Sequence, residues 1–291
     1  MGFTFRNAIT LHHFILTRFN LLLWNKDKTG CPVRTIKWLE HRFALFERYC
    51  LPSVKSQTCK DFVWIVLFDS TTPDRFKDKI ADYQKECSQF VPVFVEPDNG
   101  RYFANIFQEE VRRRLPDGRC GRVLTTYLDN DDALNIKMVE DLQSRIELHP
   151  NGTFIFYTDG YQFFTDDHFL MRIHYKKNHF VSVIEGDSKD QVKTIYGYGS
   201  HYYIDKIKDV KIEYVSNEPL WCQVVHDKNM GNDAYFLTAR MIRDKDLLQR
   251  DFGLHEKVNY GLGLYLQSFL PRYAKTFARR MMIKVRGYRF E

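Results

Sequence analysis

Val123-Leu124-Thr125-Thr126-Tyr127-Leu128-Asp129-Asn130-Asp131-Asp132 decides the fold. Six β-prone residues end abruptly in four polar ones, three of them carboxylates. A run with so little polar alternation fits a strand buried on both faces. Residues 136–148 then take helical spacing and close at His149-Pro150-Asn151-Gly152.

The same unit repeats upstream. Residues 103–115 read as a helix, Phe90 to Val95 as a strand and residues 74–87 as a helix. The apolar run Phe62-Val63-Trp64-Ile65-Val66-Leu67-Phe68 ends in Asp69-Ser70-Thr71-Thr72-Pro73. Residues 34–50 place Ile36, Leu39, Phe43, Phe46 and Cys50 at helical spacing, and Leu51-Pro52 is expected to stop that helix. Phe14-Ile15-Leu16 is β-prone and ends at Thr17-Arg18-Phe19-Asn20. The order β-α-β-α-β-α-β-α gives an α/β class with a Rossmann-type, mostly parallel central sheet flanked by helices. Ligands of such sheets bind beyond the carboxyl ends of the strands. The polar knots at 17–20, 69–72 and 129–132 all follow strands, so they are expected to converge on one edge.

The second half is less regular. Residues 153–164 read as strand-turn-strand around Asp159-Gly160, and residues 180–185 and 194–204 as strand-like. Residues 233–250 mix helical and charged character. One domain over 1–291 is expected, with a ligand-binding half at 12–135, a second half at 136–250 and a basic amphipathic tail at 251–291.

The chain's 291 residues, 44 % hydrophobic and 15 % aromatic, allow a sizeable core. A net charge of +6 suits an anionic ligand or surface. Zinc-finger spacing and long arginine runs are absent, which argues against nucleic acid. The six cysteines include no Cys-x-x-Cys pair, so zinc is not expected and reduced thiols are. His12, His13 and Arg18 interrupt any signal-peptide core, and no run of 18 apolar residues occurs. A cytoplasmic protein is expected.

Asp129 and Asp131 carry the chemistry. A hard divalent cation, Mn²⁺ or Mg²⁺, needs several carboxylate oxygens close together, and alternate residues of an extended segment point the same way. Such a cation can bridge two phosphates. Asn130 or Asp132 could instead cap the following helix. His226, in Trp221-Cys222-Gln223-Val224-Val225-His226, is the further candidate metal ligand, against a structural role. Asp69 can bond a nucleobase or ribose, or cap the helix near Pro73. Arg18 can pair with phosphate, with Thr17, Asn20 and Asn130 beside it. Glu185, Asp159 and Asp187 are the candidate bases, Glu185 favoured because the run Phe180 to Ile184 delivers it to an edge of the core. In the tail, Arg272, Lys275, Arg279, Arg280, Lys284, Arg286 and Arg289 stand among apolar residues. Packing of its apolar stripe on the domain is expected; contact of 271–291 with an anionic membrane is the alternative.

Four blocks resemble a bacterial rhamnosyltransferase family: residues 13–20 (HFILTRFN), Leu51-Pro52-Ser53-Val54 with Gln57, Thr125 to Asp132, and Trp221 to His226. The resemblance covers about residues 12 to 235. It implies a GT-A-like fold whose Asp-x-Asp binds Mn²⁺ or Mg²⁺ with a nucleotide-sugar donor. Asp129, Asp131 and His226 would then be ligands, and Thr17 and Asp69 would lie near the nucleoside. One departure is Tyr127, where the family tends to carry arginine. The expectation is a metal-dependent glycosyltransferase that moves a sugar, rhamnose by the family name, from a dTDP or UDP donor to a glycan or lipid-linked acceptor. Inversion follows from the β-linked donor that the family implies, and polysaccharide assembly at the inner face of a bacterial membrane would fit. The rivals are a glycan-binding module or degenerate transferase, which would not need metal, and a nucleotidyltransferase. The latter wants a glycine-rich, lysine-bearing loop that Thr17–Asn20 lacks.

Overall fold

A computed structural model describes residues 10–24, 32–216, 218–226 and 239–286. In chain order the elements are β1 (Leu11–Arg18), α1 (Ile36–Leu45), α2 (Leu51–Lys55), β2 (Val63–Asp69), α3 (Asp74–Glu86), β3 (Phe90–Val95), α4 (Phe103–Arg113), β4 (Arg122–Tyr127), β5 (Ala133–Leu134) and α5 (Met138–Ser144). The second half adds β6 (Thr153–Tyr157), β7 (Asp159–Phe164), β8 (Phe169–His174), β9 (Val181–Gly186), β10 (Lys211–Val215), β11 (Trp221–Val225), β12 (Arg240–Met241), α6 (Leu247–Phe252), α7 (Leu262–Leu264) and α8 (Leu270–Arg286).

Seven strands form the central sheet in the order β10-β6-β9-β4-β1-β2-β3. The pairs β1–β2, β1–β4, β2–β3 and β6–β10 are parallel, and β9 runs antiparallel between β4 and β6. This is the mixed α/β, mostly parallel class expected. Apolar side chains cover both faces: Ile15, Trp64, Val66 and Phe68 on one, Phe14, Leu16, Ile65 and Leu67 on the other. That double burial is why β2 reads as an unbroken apolar run.

A second sheet, β12-β8-β7-β11-β5, abuts the first through β5, which directly follows the aspartate block. Residues 153–164 are therefore not a hairpin around Asp159-Gly160. The chain breaks at Thr158, and β6 and β7 go to different sheets. Gly160 lies inside β7, where a Cβ would fall 2.1 Å from the Trp221 indole.

Two further expectations fail for local reasons. The first helix does not stop at Leu51-Pro52. A π turn over Phe46–Cys50, closed by the Leu51 amide on the Phe46 carbonyl, carries it into α2 with Pro52 in the first turn. Proline lacks the amide an ordinary helix would need there, and a widened turn accommodates it. The tail repeats the device: a π turn over Tyr265–Phe269 precedes Leu270-Pro271. Residues 194–204 form two 3₁₀ turns rather than a strand, since Thr194 and Gly199 take positive φ (64° and 80°). Of the mixed segment 233–250, residues 233–238 lie outside the described residues.

Candidate active site

The three polar knots meet at the carboxyl ends of β1, β2 and β4. The Phe19 amide donates to the Leu67 carbonyl and the Leu128 amide to that of Leu16. Asn20 accepts from the Asp69 amide (3.1 Å) and donates to Thr72 Oγ1 (2.9 Å). Asn130 Nδ2 donates to the carbonyls of both Arg18 and Phe19, at 2.8 and 2.9 Å. Asn130 therefore ties the loop after β4 to the loop after β1 and caps no helix.

The aspartate block splits into environments that the sequence pattern does not separate. Asp129 is the exposed one, with 34 % of its side chain accessible. The Tyr127 hydroxyl donates to its Oδ1 at 2.9 Å, Arg18 Nη2 donates to that hydroxyl at 2.7 Å, and Arg18 lies 3.8 Å from the same carboxylate. Tyr127 thus links Asp129 to an arginine from β1.

Asp131 is buried. Its Oδ2 accepts from Arg42 Nη1 at 3.0 Å and lies 2.9 Å from His226 Nε2. Burial by itself would raise its pKa, but Arg42 and then His226 outweigh it and hold Asp131 below the usual carboxylate range. Asp132 is also buried. It accepts from the Val224 amide at 2.8 Å, and His179 Nε2 lies 2.6 Å from its other oxygen. Burial, reinforced by the Asp131 and Asp129 carboxylates, holds Asp132 above the usual range despite His179. Burial would lower His179, yet Asp132, Asp129 and Asp131 together hold it above its ordinary value.

Asp129, Asp132 and His179 offer ligand atoms that all lie within 4.8 Å of one another. Two carboxylates and an imidazole are a donor set that Mn²⁺ accepts, and closing onto a cation would draw the atoms to about 3 Å apart. The residues present therefore fit a divalent ion. Asp131 and His226 also sit together, but Arg42 already occupies the Asp131 oxygen that faces His226.

Beside Asp129 opens a cavity of about 540 Å³, lined by Arg18, Phe103, Tyr127, Tyr196 and His201 among others. Arg18 lies over the rings of Phe103, Tyr196 and Tyr127, 4.7, 5.2 and 5.7 Å from their centroids. Its buried Nε has no partner among the described residues, a donor left over in a cavity wall. Burial pushes His201 down to about 3, so its ring stays neutral. A somewhat larger hollow, about 640 Å³, borders α5 at Lys137, Glu140, Asp141 and Ser144. Its Asp141 already pairs with Arg145 at 2.6 Å, and the cavity beside Asp129 is the one at the strand ends.

The other expected residues are placed as follows. Thr17 is fully buried and accepts from the Trp64 indole at 2.9 Å, so it holds the core rather than lining the cavity. Asp69 pairs with Arg34 at 2.6 Å and accepts from the Thr71 amide, closing a turn before α3. Glu185 pairs with Val123, at the start of β4, and Asp187 follows it. Both lie at the opposite end of β4 from Asp129. Burial pushes Glu185 up against bonds from the Lys193 and Thr194 amides and the Tyr198 hydroxyl; Asp187 accepts from Asn151. Asp159 opens β7 and bonds Ser216 at 2.7 Å, with Arg172 and His174 beside it. The parallel register Val225↔Phe164 sets it six residues, roughly 20 Å of strand, away from His226. None of the three candidate bases joins the aspartate block.

Sequence reasoning missed Arg34, Arg42, Tyr196, His201 and His179. Only His179 left a signal: a histidine directly before the apolar run of β9, the strand that pairs with β4.

An acidic cluster and a guanidinium-lined aromatic cavity thus stand together at the carboxyl ends of a mostly parallel sheet. Residues 33–236 match the model of the family described as "Putative rhamnosyl transferase". The match takes in more than two thirds of the chain, and the chain belongs to this family of glycosyltransferases. No curated protein matches. Among solved structures, residues 1–349 of S. aureus TarS share 10 % identity at a TM-score of 0.41, over 73 % of this chain and 60 % of that one. The same TarS fragment in complex with UDP gives 10 % identity and 0.39, over 74 % and 60 %. A "putative nucleotide-diphospho-sugar transferase" from Desulfovibrio desulfuricans G20 gives 8 % identity and 0.36, over 94 % and 96 %. The chain thus spans about 60 % of the length of the TarS fragment. Likenesses this distant add nothing to the topology, which carries the fold assignment by itself.

Proposed function

We propose that the chain transfers a sugar from a nucleoside-diphosphate donor to a glycan or lipid-linked acceptor, with the donor diphosphate bound between Arg18 and the aspartate block. The observation that carries this reading is Arg18. Its guanidinium lines the cavity, stands 3.8 Å from Asp129 and keeps one buried donor free among the described residues. Guanidinium suits a diphosphate, and the Phe103, Tyr127 and Tyr196 rings suit a planar base. Rhamnose is the sugar that the family description points to, and a single inverting displacement is the mechanism that a β-linked donor would require.

Asp129, Asp132 and His179 would hold a divalent cation, Mn²⁺ or Mg²⁺, which when bound would neutralise charge on the leaving diphosphate. Arg18 would orient the diphosphate, Tyr127 would fix Asp129, and Asn130 would keep both loops in register. The set Asp129, Asp131 and His226 is the alternative, and it would need Arg42 to leave Asp131.

Calorimetric titration of UDP and dTDP, with Mn²⁺ and with EDTA, tests the reading. Binding should require metal and should be lost in Asp129→Ala. Loss in Asp132→Asn and His179→Gln, with Asp131→Asn and His226→Gln still binding, supports the first donor set; the reverse pattern moves the cation to the second. Failure of every nucleoside diphosphate to bind folded protein with metal present would sink the transferase reading in favour of a glycan-binding module.

A further inference from the structure

The tail helix runs without interruption from Leu262 to Arg286, about 37 Å long. Among the described residues it is moored at one place. Phe269 is buried, Leu264 and Tyr273 pack against the main core, and Arg272 pairs with Asp167 at 2.6 Å while lying over Phe164 and Phe169. Among the described side chains, the expected packing of its apolar stripe on the domain is confined to Leu264, Phe269 and Tyr273. Leu262, Leu266, Leu270, Phe277 and Met281 recur at helical spacings of four and seven, and each is 43–74 % exposed. They form one line of large apolar side chains facing solvent. Arg289 and the rest of 287–291 lie outside the described residues.

Charge selects the occupant. From Lys257 to Arg286 the sequence carries seven Lys and Arg and no Asp or Glu. A protein partner would be expected to meet charges of both signs, whereas a long segment of one sign beside an apolar stripe matches an acidic lipid surface. No helix among the described residues is long and apolar enough to cross a membrane. The helix therefore suits lying in the headgroup plane rather than spanning it.

We propose that the helix Leu262–Arg286 docks the protein on an anionic bilayer, with Leu262, Leu266, Leu270, Phe277 and Met281 entering the interface. This is independent of the donor chemistry, since none of these residues lines the cavity beside Asp129. The test is co-sedimentation of the full chain with phosphatidylcholine vesicles, with and without phosphatidylglycerol, at low and high salt. Binding should appear with phosphatidylglycerol, weaken with salt and fall roughly tenfold or more in the double variant Leu266→Ser, Phe277→Ser. Circular dichroism checks its fold. Should that variant fail to fold, Lys275→Glu on the same helix gives the answer, with an expected loss of several-fold. No preference for phosphatidylglycerol, or unchanged binding in the folded variants, would overturn the proposal. So would a dimer in solution that the double variant dissolves, because the stripe's occupant would then be a second copy.

Discussion

Asp129 and Asp131 are two residues apart, and each faces an arginine, yet the two pairs do different work. Arg18 stands 3.8 Å from Asp129 across a partly open cavity, with Tyr127 between them. Arg42 touches Asp131 at 3.0 Å in a buried place, with His226 on the same oxygen. Both arginines keep a buried Nε without a partner among the described residues, so the pairs differ in access: Arg18 lines the cavity and Asp129 is partly exposed, whereas Asp131 is shut in against Arg42 and joins α1 to the strand-end loop. One Asp-x-Asp motif therefore places one carboxylate at the cavity and the other in a closed ion pair.

Breaking the closed pair should cost most. Asp131→Ala would strand the Arg42 charge in a part-buried site, and chemical denaturation should show a loss of about 3 kcal/mol, the low end for a buried pair. A loss under about 1 kcal/mol would mean that the pair is as loose as the one at Asp129. Asp129→Ala should do the converse. Its stability should change by less than about 1 kcal/mol, as for other partly exposed pairs, while nucleoside diphosphate affinity with Mn²⁺ falls on the order of a hundredfold.

Acid separates the closed pair from the core beneath it. Burial pushes His13 down to about 3, and its Nε2 contacts Thr126 of β4 at 2.9 Å. The unfolded chain protonates this histidine near 6.5, so it binds more protons than the folded chain below that pH. Stability therefore falls from pH 6.5 toward 3, by about 2 kcal/mol at pH 5 from this residue. Asp131 works in a lower window. Its depressed pKa contributes stability above the ordinary carboxylate value, lost as pH falls through the folded value. The difference between wild type and His13→Asn in urea melts should open between pH 6.5 and 4; a difference flat with pH would refute a neutral buried His13. The smallest effect belongs to Arg18→Lys. It keeps the charge and loses the planar fork, so titration should show diphosphate affinity reduced by about tenfold with the melting temperature nearly unchanged.

The sheet could be read from the sequence because β1, β2 and β4 are buried on both faces and their apolar runs end in polar knots. Phe62 to Phe68 and Val123 to Leu128 show both features without help from the rest of the chain. The convergence of 17–20, 69–72 and 129–132 followed from that alone. The second half resisted because its strands owe their positions to distant partners: β6 and β7 part at Thr158 into separate sheets, and Gly160 makes room for Trp221, 61 positions later. Within the site, the strand-end positions of Asp129 and Arg18 were legible. The surroundings of Asp131 and Asp132 were not, because Arg42 lies 89 residues from one and His179 47 from the other. The favoured base, Glu185, was misplaced because the direction of β9 is invisible in its own residues. Antiparallel to β4, it delivers its last carboxylate to the far end of the sheet.

Asn130 has a mechanical consequence. One amide group holds two consecutive carbonyls of the neighbouring loop, so the segments after β1 and β4 behave as a single stiff rim. Neither can swing aside alone to admit or release a bulky substrate. Among the described residues the wall that faces this rim is built differently: the aromatic turns at 195–206 have no strand ladder, and glycines at 197 and 199 interrupt the chain.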